Sequence, residues 1–250
     1  MYLNDVHILQ YVLFGIIGAI IGQFMDWCSI RMPEHKKVFT KDIITEYKRN
    51  FKPNFILIAI IAIMYMLLVY KFGIAKDFMH NLTLLKFLIL VPMLVCIFKI
   101  DYKHLIIPNR MNLTMFEIGL VFTFIYGINS LNSAIDMLLG MLVGGGIFLI
   151  ITLIGGLIAG KEAMGFGDVK LMGAMGLFFG FRNMIVVSIL SFLIGAILSV
   201  VLLATKIKKP SEYIPFGPFI VIAAIITIFV PFETIVGILL EIFTLGMYAG

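Results

Sequence analysis

Two aspartates stand in short motifs whose residue types suit hydrolysis by paired carboxylates. Asp101 directly follows an apolar run, in Phe98-Lys99-Ile100-Asp101-Tyr102-Lys103-His104-Leu105-Ile106-Ile107-Pro108-Asn109. Asp168 ends Gly165-Phe166-Gly167-Asp168 and precedes Val169-Lys170-Leu171. Close carboxylates cannot both ionise cheaply and so share a proton: the charged one activates water and the protonated one donates to a peptide carbonyl. Such a pair titrates as a unit, and the chemistry requires no metal. Each acid also has a plainer reading, Asp101 as a solvated acid at a helix end and Asp168 as a loop acid paired with Lys170 or Lys161. Ile107-Pro108-Asn109 reads as a turn into the next helix. Gly165 and Gly167 permit positive φ and close chain approach, so Asp168 is expected on a non-helical loop. Lys170 either favours the ionised form of Asp168 or faces lipid head groups.

The elements that must position these acids are membrane helices. Hydrophobic residues make up 62% of the 250 positions and charged residues 13%, against roughly 45–50% and about 25% in soluble domains. One soluble core cannot hide that excess. Apolar runs long enough to cross a bilayer recur along the chain, which predicts an all-α polytopic bundle of about eight spans. They fall near 8–27, 54–70, 82–100, 111–128, 137–160, 169–181, 183–205 and 215–232. The sequence divides into 1–53, a first span with a short basic loop, and 54–250, a membrane-embedded core holding both aspartates. The tail from Glu233 is expected at the interface. With no charged region before it and no small-residue cleavage pattern after it, the first span is expected to remain as a helix.

Orientation follows from the basic residues, which are retained on the cytoplasmic side. Of the nineteen Lys and Arg, fifteen fall in the odd-numbered loops, including Arg31, Lys36, Lys37, Lys99, Lys103, Arg110, Lys161, Lys170, Lys208 and Lys209. Only Lys71, Lys76 and Arg182 fall in the even ones, and Lys86 lies within a span. The N-terminus is therefore expected outside, with Asp101 and Asp168 both at the cytoplasmic rim. The net charge of +5 is accounted for by this topology and by anionic lipid, with no nucleic-acid partner.

Other chemistries lack their residues. Cys28 and Cys96 form no CxxC pair and read as packing residues, and there is neither an HExxH zinc motif nor a GxSxG elbow. Two further acids lie in apolar stretches. Asp26 is expected to pair with Arg31, and Glu117 either lines a cavity or makes a structural hydrogen bond, because a charge at the bilayer centre costs about 2.5–3.5 kcal/mol. Glycines such as Gly144, Gly145, Gly146, Gly155, Gly156, Gly160, Gly173 and Gly176 are expected at close helix contacts. In the first loop Phe39, Ile43, Ile44, Tyr47 and Phe51 recur at helical spacing. They suggest an amphipathic helix on the inner leaflet or a substrate-docking element, with Glu34, Asp42 and Glu46 available to a basic segment.

The motifs resemble those of the type IV prepilin peptidases, which are GxGD aspartic proteases. The resemblance rests on Asp101 through Asn109, on Gly165 through Leu171, and on Ile214-Pro215-Phe216-Gly217-Pro218, although a proline-rich helix start is a plainer reading of the last. It implies Asp101 and Asp168 as the catalytic pair, with Gly165, Gly167, Lys170, Pro108 and Asn109 as supporting motif residues. It implies prepilin or pseudopilin substrates and a multi-pass protein of the inner or plasma membrane. The chain departs from the family in two places. Asp26 stands where Asn is usual, and the short loop from Arg31 to Pro53 carries no cysteine, so the family's tetracysteine zinc domain is missing there. No cofactor is implied for cleavage, and S-adenosylmethionine only if the N-methylation found in bifunctional members is retained. A small transporter using its acids for a cation or proton, and a catalytically inactive scaffold, are the alternatives.

Overall fold

The computed structural model describes residues 2–4, 6–34, 38, 47, 53–160, 164–206 and 213–244. A tiny antiparallel hairpin, β1 (Tyr2–Leu3) and β2 (Val6–His7), precedes eight helices among these residues. They are α1 (Ile8–Arg31), α2 (Phe55–Phe72), α3 (Phe78–His104), α4 (Asn109–Asn129), α5 (Leu131–Ala159), α6 (Phe166–Ala204), α7 (Gly217–Phe229) and α8 (Phe232–Phe243). Six are long and apolar enough to cross a membrane, as the all-α polytopic reading requires. The chain forms two compact units, Met1–Met115 and Phe116–Gly250.

In the first unit α1 and α3 both pack on α2 and on each other. A glycine stripe lets α1 approach α2 closely: a β-carbon on Gly18 would fall 2.9 Å from Ala62 Cα, and one on Gly22 would fall 3.0 Å from Ile58 Cα. In a bilayer such backbone approach supplies the dispersion contacts that hydrophobicity cannot. Pro92 lies inside α3. It has no N–H to give the carbonyl four residues back, and the buried Tyr65 hydroxyl donates to that carbonyl, Leu88 O, at 2.6 Å.

In the second unit the expected sixth and seventh spans both fall in α6, whose 39 residues form two helical segments joined at Gly180. A straight helix of that length would measure about 58 Å, twice a hydrocarbon core of about 30 Å. The excess is resolved at Gly180, whose φ of 72° and ψ of 176° break the helix. Gly140 of α5 lies against Gly176 and Gly180, and Gly144 lies against Met172 and Met184. Further along α5, Gly145 meets Gly173, and the Phe148 ring packs at a tilt against Phe192 with centroids 5.1 Å apart. Residues before Gly180 thus run antiparallel to α5 and those after it run parallel, so the chain reverses at Gly180. Gly144, Gly145, Gly173 and Gly176 serve close packing as expected, whereas nothing lies within 4 Å of a β-carbon on Gly146.

The expected last span is the shorter α7, with Pro218 in its first turn. Phe216, just before it, packs its ring against Phe148, Phe192 and Phe219. α8 packs Ile235 and Leu239 on Val186 of α6. The expected first-loop helix lies outside the described residues except for Val38 and Tyr47, as do Lys161, Lys208 and Lys209.

Candidate active site

Asp101 lies in the last turn of α3 and is 5% exposed. The helix ends at Leu105, which takes the left-handed conformation (φ 57°, ψ 34°) and donates its N–H to Asp101 O at 2.9 Å. A carboxylate at a helix C-terminus opposes the local dipole by about 0.3–1 kcal/mol, so helix stability alone does not favour an acid at this place. Pro108 then starts α4: its carbonyl accepts from Met111 N at 3.0 Å and Asn112 N at 3.2 Å, while Asn109 is the first helical residue and is exposed. The Ile-Pro-Asn turn is therefore where the spacing put it.

Asp168 is 4% exposed and lies in the first turn of α6. The structure corrects its expected setting. Gly165 caps the helix with an extended φ of −67°, Gly167 is helical, and neither glycine has positive φ. Close approach is what Gly165 supplies instead. A β-carbon there would sit 3.4 Å from Asp168 Oδ2 and 4.0 Å from the Tyr213 hydroxyl. Asp168 N donates back to Gly165 O at 3.0 Å. An acid in a first turn is favoured by the helix dipole. Lys170 is exposed, with its ammonium 5.9 Å from the centre of the Phe166 ring.

Sequence reasoning missed Tyr213, which directly precedes the Ile-Pro-Phe-Gly-Pro stretch; a phenol beside a proline motif carries no signal of its own. It also missed the partners of Asp26. That carboxylate is 1% exposed, binds the Lys99 ammonium through Oδ1, and accepts from Asn54 N at 3.2 Å through Oδ2. Nearby, Gln23 donates to the Tyr47 hydroxyl, Trp27 meets the Tyr47 ring edge-on, and the Arg31 guanidinium lies over Trp27. Glu117, expected on a cavity wall or in a structural hydrogen bond, is exposed on α4. Cys28 and Cys96 are free, buried packing residues, and Cys96 Sγ donates to Met25 O at 3.4 Å. No cluster of three potential metal ligands occurs among the described residues.

A polytopic helical membrane protein with a buried acid at each of two helix ends is the class these observations define. Residues 88–200, which include both Asp101 and Asp168, match the type IV leader peptidase family. The chain is similar to prepilin leader peptidase/N-methyltransferases of several bacteria. It is 34% identical over 137 residues to that of Aeromonas hydrophila, covering 54% of this chain and 46% of the relative. It is 32% identical over 142 residues to that of Xanthomonas campestris pv. campestris (57% and 48%) and 33% identical over 125 residues to that of Pseudomonas aeruginosa (50% and 42%). The chain thus spans about half the length of the curated relatives it matches. No solved structure matches.

Proposed function

We propose that the chain is a membrane aspartic endopeptidase that removes the short basic leader from type IV prepilins or pseudopilins at the cytoplasmic membrane face. The observation that carries this reading is the state of the two acids: Asp101 and Asp168 are each buried at a helix end within the stretch that matches the type IV leader peptidase family. Burying a carboxylate costs several kcal/mol, which chemistry can justify and solubility cannot.

In the proposed reaction the two carboxylates share one proton across a water molecule. The ionised carboxylate takes a proton from the water as its oxygen attacks the scissile carbonyl carbon, and the protonated one donates to the carbonyl oxygen. Collapse of the tetrahedral intermediate breaks the C–N bond, with a proton passing to the leaving amine. The bias of basic residues supports an outside N-terminus and a cytoplasmic site in an inner or plasma membrane. A leader ending at the head of an apolar substrate helix would reach that rim by lateral diffusion.

Cleavage by this route requires no cofactor. Methylation of the new N-terminus would require S-adenosylmethionine. The Asp26 carboxylate, which stands where the family usually has Asn, is taken up by Lys99 and Asn54 N rather than offered to a sulfonium. Mass spectrometry of a co-expressed prepilin tests both activities. Cleavage after the leader is expected, and recovery of only the intact precursor would refute the proposal; an added mass of about 14 Da on the product would report retained methylation.

A further inference from the structure

Asp26 and Lys99 form an ion pair close to Asp101 in the chain, and the place of Lys99 on α3 gives the pair a geometric consequence. Lys99 lies two residues before Asp101 in the final turns of α3. At 3.6 residues per turn the two side chains leave the helix about 200° apart, so they do not face each other. Fixing Lys99 toward α1 therefore turns Asp101 away from α1. The fixation has several points. Cys96, one turn earlier on the same face as Lys99, donates to Met25 O of α1 at 3.4 Å. The other oxygen of Asp26 accepts from Asn54 N at 3.2 Å, and the Asn54 side chain caps α2 through Leu57 N at 3.2 Å. One carboxylate thus joins the end of α1, the start of α2 and the end of α3.

Stability alone gives weak grounds for such a pair. Asp26 is 1% and Lys99 26% exposed, and a pair this buried is often replaceable by neutral residues at little net cost. A lysine at a helix end can otherwise extend to the interface. What the pair does supply is rotational register for the last turn of α3, the turn that carries Asp101.

We propose that the Asp26–Lys99 pair is a clamp that aims the Asp101 carboxylate, making both residues positioning residues for leader cleavage. This rests on the function proposed above. Asp26→Asn alone leaves the Lys99 cation without its counter-charge and is expected to lose both stability and rate. The decisive variant is Asp26→Asn/Lys99→Gln, which removes the clamp and strands no charge. It is expected to unfold like the parent protein yet cleave a prepilin peptide with kcat lowered about 10- to 100-fold, the scale on which small misplacements act, while KM stays within about twofold. A parental kcat, or a loss confined to KM, overturns the clamp. An independent readout needs no cleavage: with Cys28 and Cys96 replaced by Ala, maleimide labelling of Asp101→Cys should be faster in the double-variant background than in the parent. Unchanged labelling overturns the clamp. If the unmodified protein fails to cleave, the function proposal falls, and the labelling comparison still decides the geometry.

Discussion

The Tyr65 hydroxyl donates to Leu88 O at 2.6 Å, the backbone acceptor that Pro92 deprives of its helical donor. Hydrocarbon offers no water to take its place, so the proline and the tyrosine act as a matched pair across α2 and α3. Tyr65→Phe should destabilise the first unit by about 1–2 kcal/mol, between the mean for interhelical bonds in bilayers and the cost of an unsatisfied buried acceptor. Unfolding in mixed micelles checks this. Pro92→Ala restores the helical N–H, so Tyr65→Phe should cost less in that background; an equal cost in both would refute the pairing.

Gly180 is the second such point. Its φ and ψ fall where essentially only glycine is stable, at about 1–3 kcal/mol for other residues, and a β-carbon would collide with the Asp136 carboxylate. Asp136 Oδ1 accepts from Phe181 N at 3.3 Å, across 45 residues, and so caps the helix that resumes after the break. Gly180→Ala should lower thermal stability in detergent by more than Asp136→Ala, which should lose only a cap, about 0.5–2 kcal/mol. The reverse order would contradict this account of the chain reversal.

The contact of Gly140 with Gly176 is between backbones, and a β-carbon on either would overlap the other's carbonyl. Gly140→Val or Gly176→Val should therefore cost several kcal/mol, as overpacking does when no flexible side chain can give way, and yield poorly folded protein by size-exclusion chromatography. Gly146→Ala, in open space, should elute like the parent.

Much of this architecture is legible in the amino-acid order, because hydropathy reports spans and the turn at Pro108 reports where α4 begins. What hydropathy does not report is pairing. Asp26 and Lys99 are both visible as charges near helix ends, yet they are 73 residues apart and only the packing of α1 on α3 joins them. The glycines around Phe166 suggest positive φ, whereas Gly165 instead leaves room for the Asp168 carboxylate. The boundary between the spans at 169–181 and 183–205 falls within two residues of Gly180, where the chain reverses, but hydropathy does not single out this glycine as the hinge.

If Asp101 and Asp168 embrace one water, their side chains lie within two hydrogen bonds of each other, and small movements of the helix ends bring cysteines in their places to the α-carbon separations of about 4.4–6.8 Å at which a disulfide forms. Asp101→Cys/Asp168→Cys, with Cys28 and Cys96 replaced by Ala, should become cross-linked within one chain under mild oxidation. A reductant-sensitive mobility shift would report it. Persistence of two free thiols after oxidation in membranes would argue against a shared water.

The most direct test is leader removal by purified Asp101→Asn and Asp168→Asn proteins from a prepilin peptide. Both substitutions keep size and shape and remove one proton-transferring group. Each should reduce the cleavage rate by at least about 10²-fold while the protein remains inserted and folded. Cleavage by either variant at the parental rate would contradict the paired-aspartate mechanism.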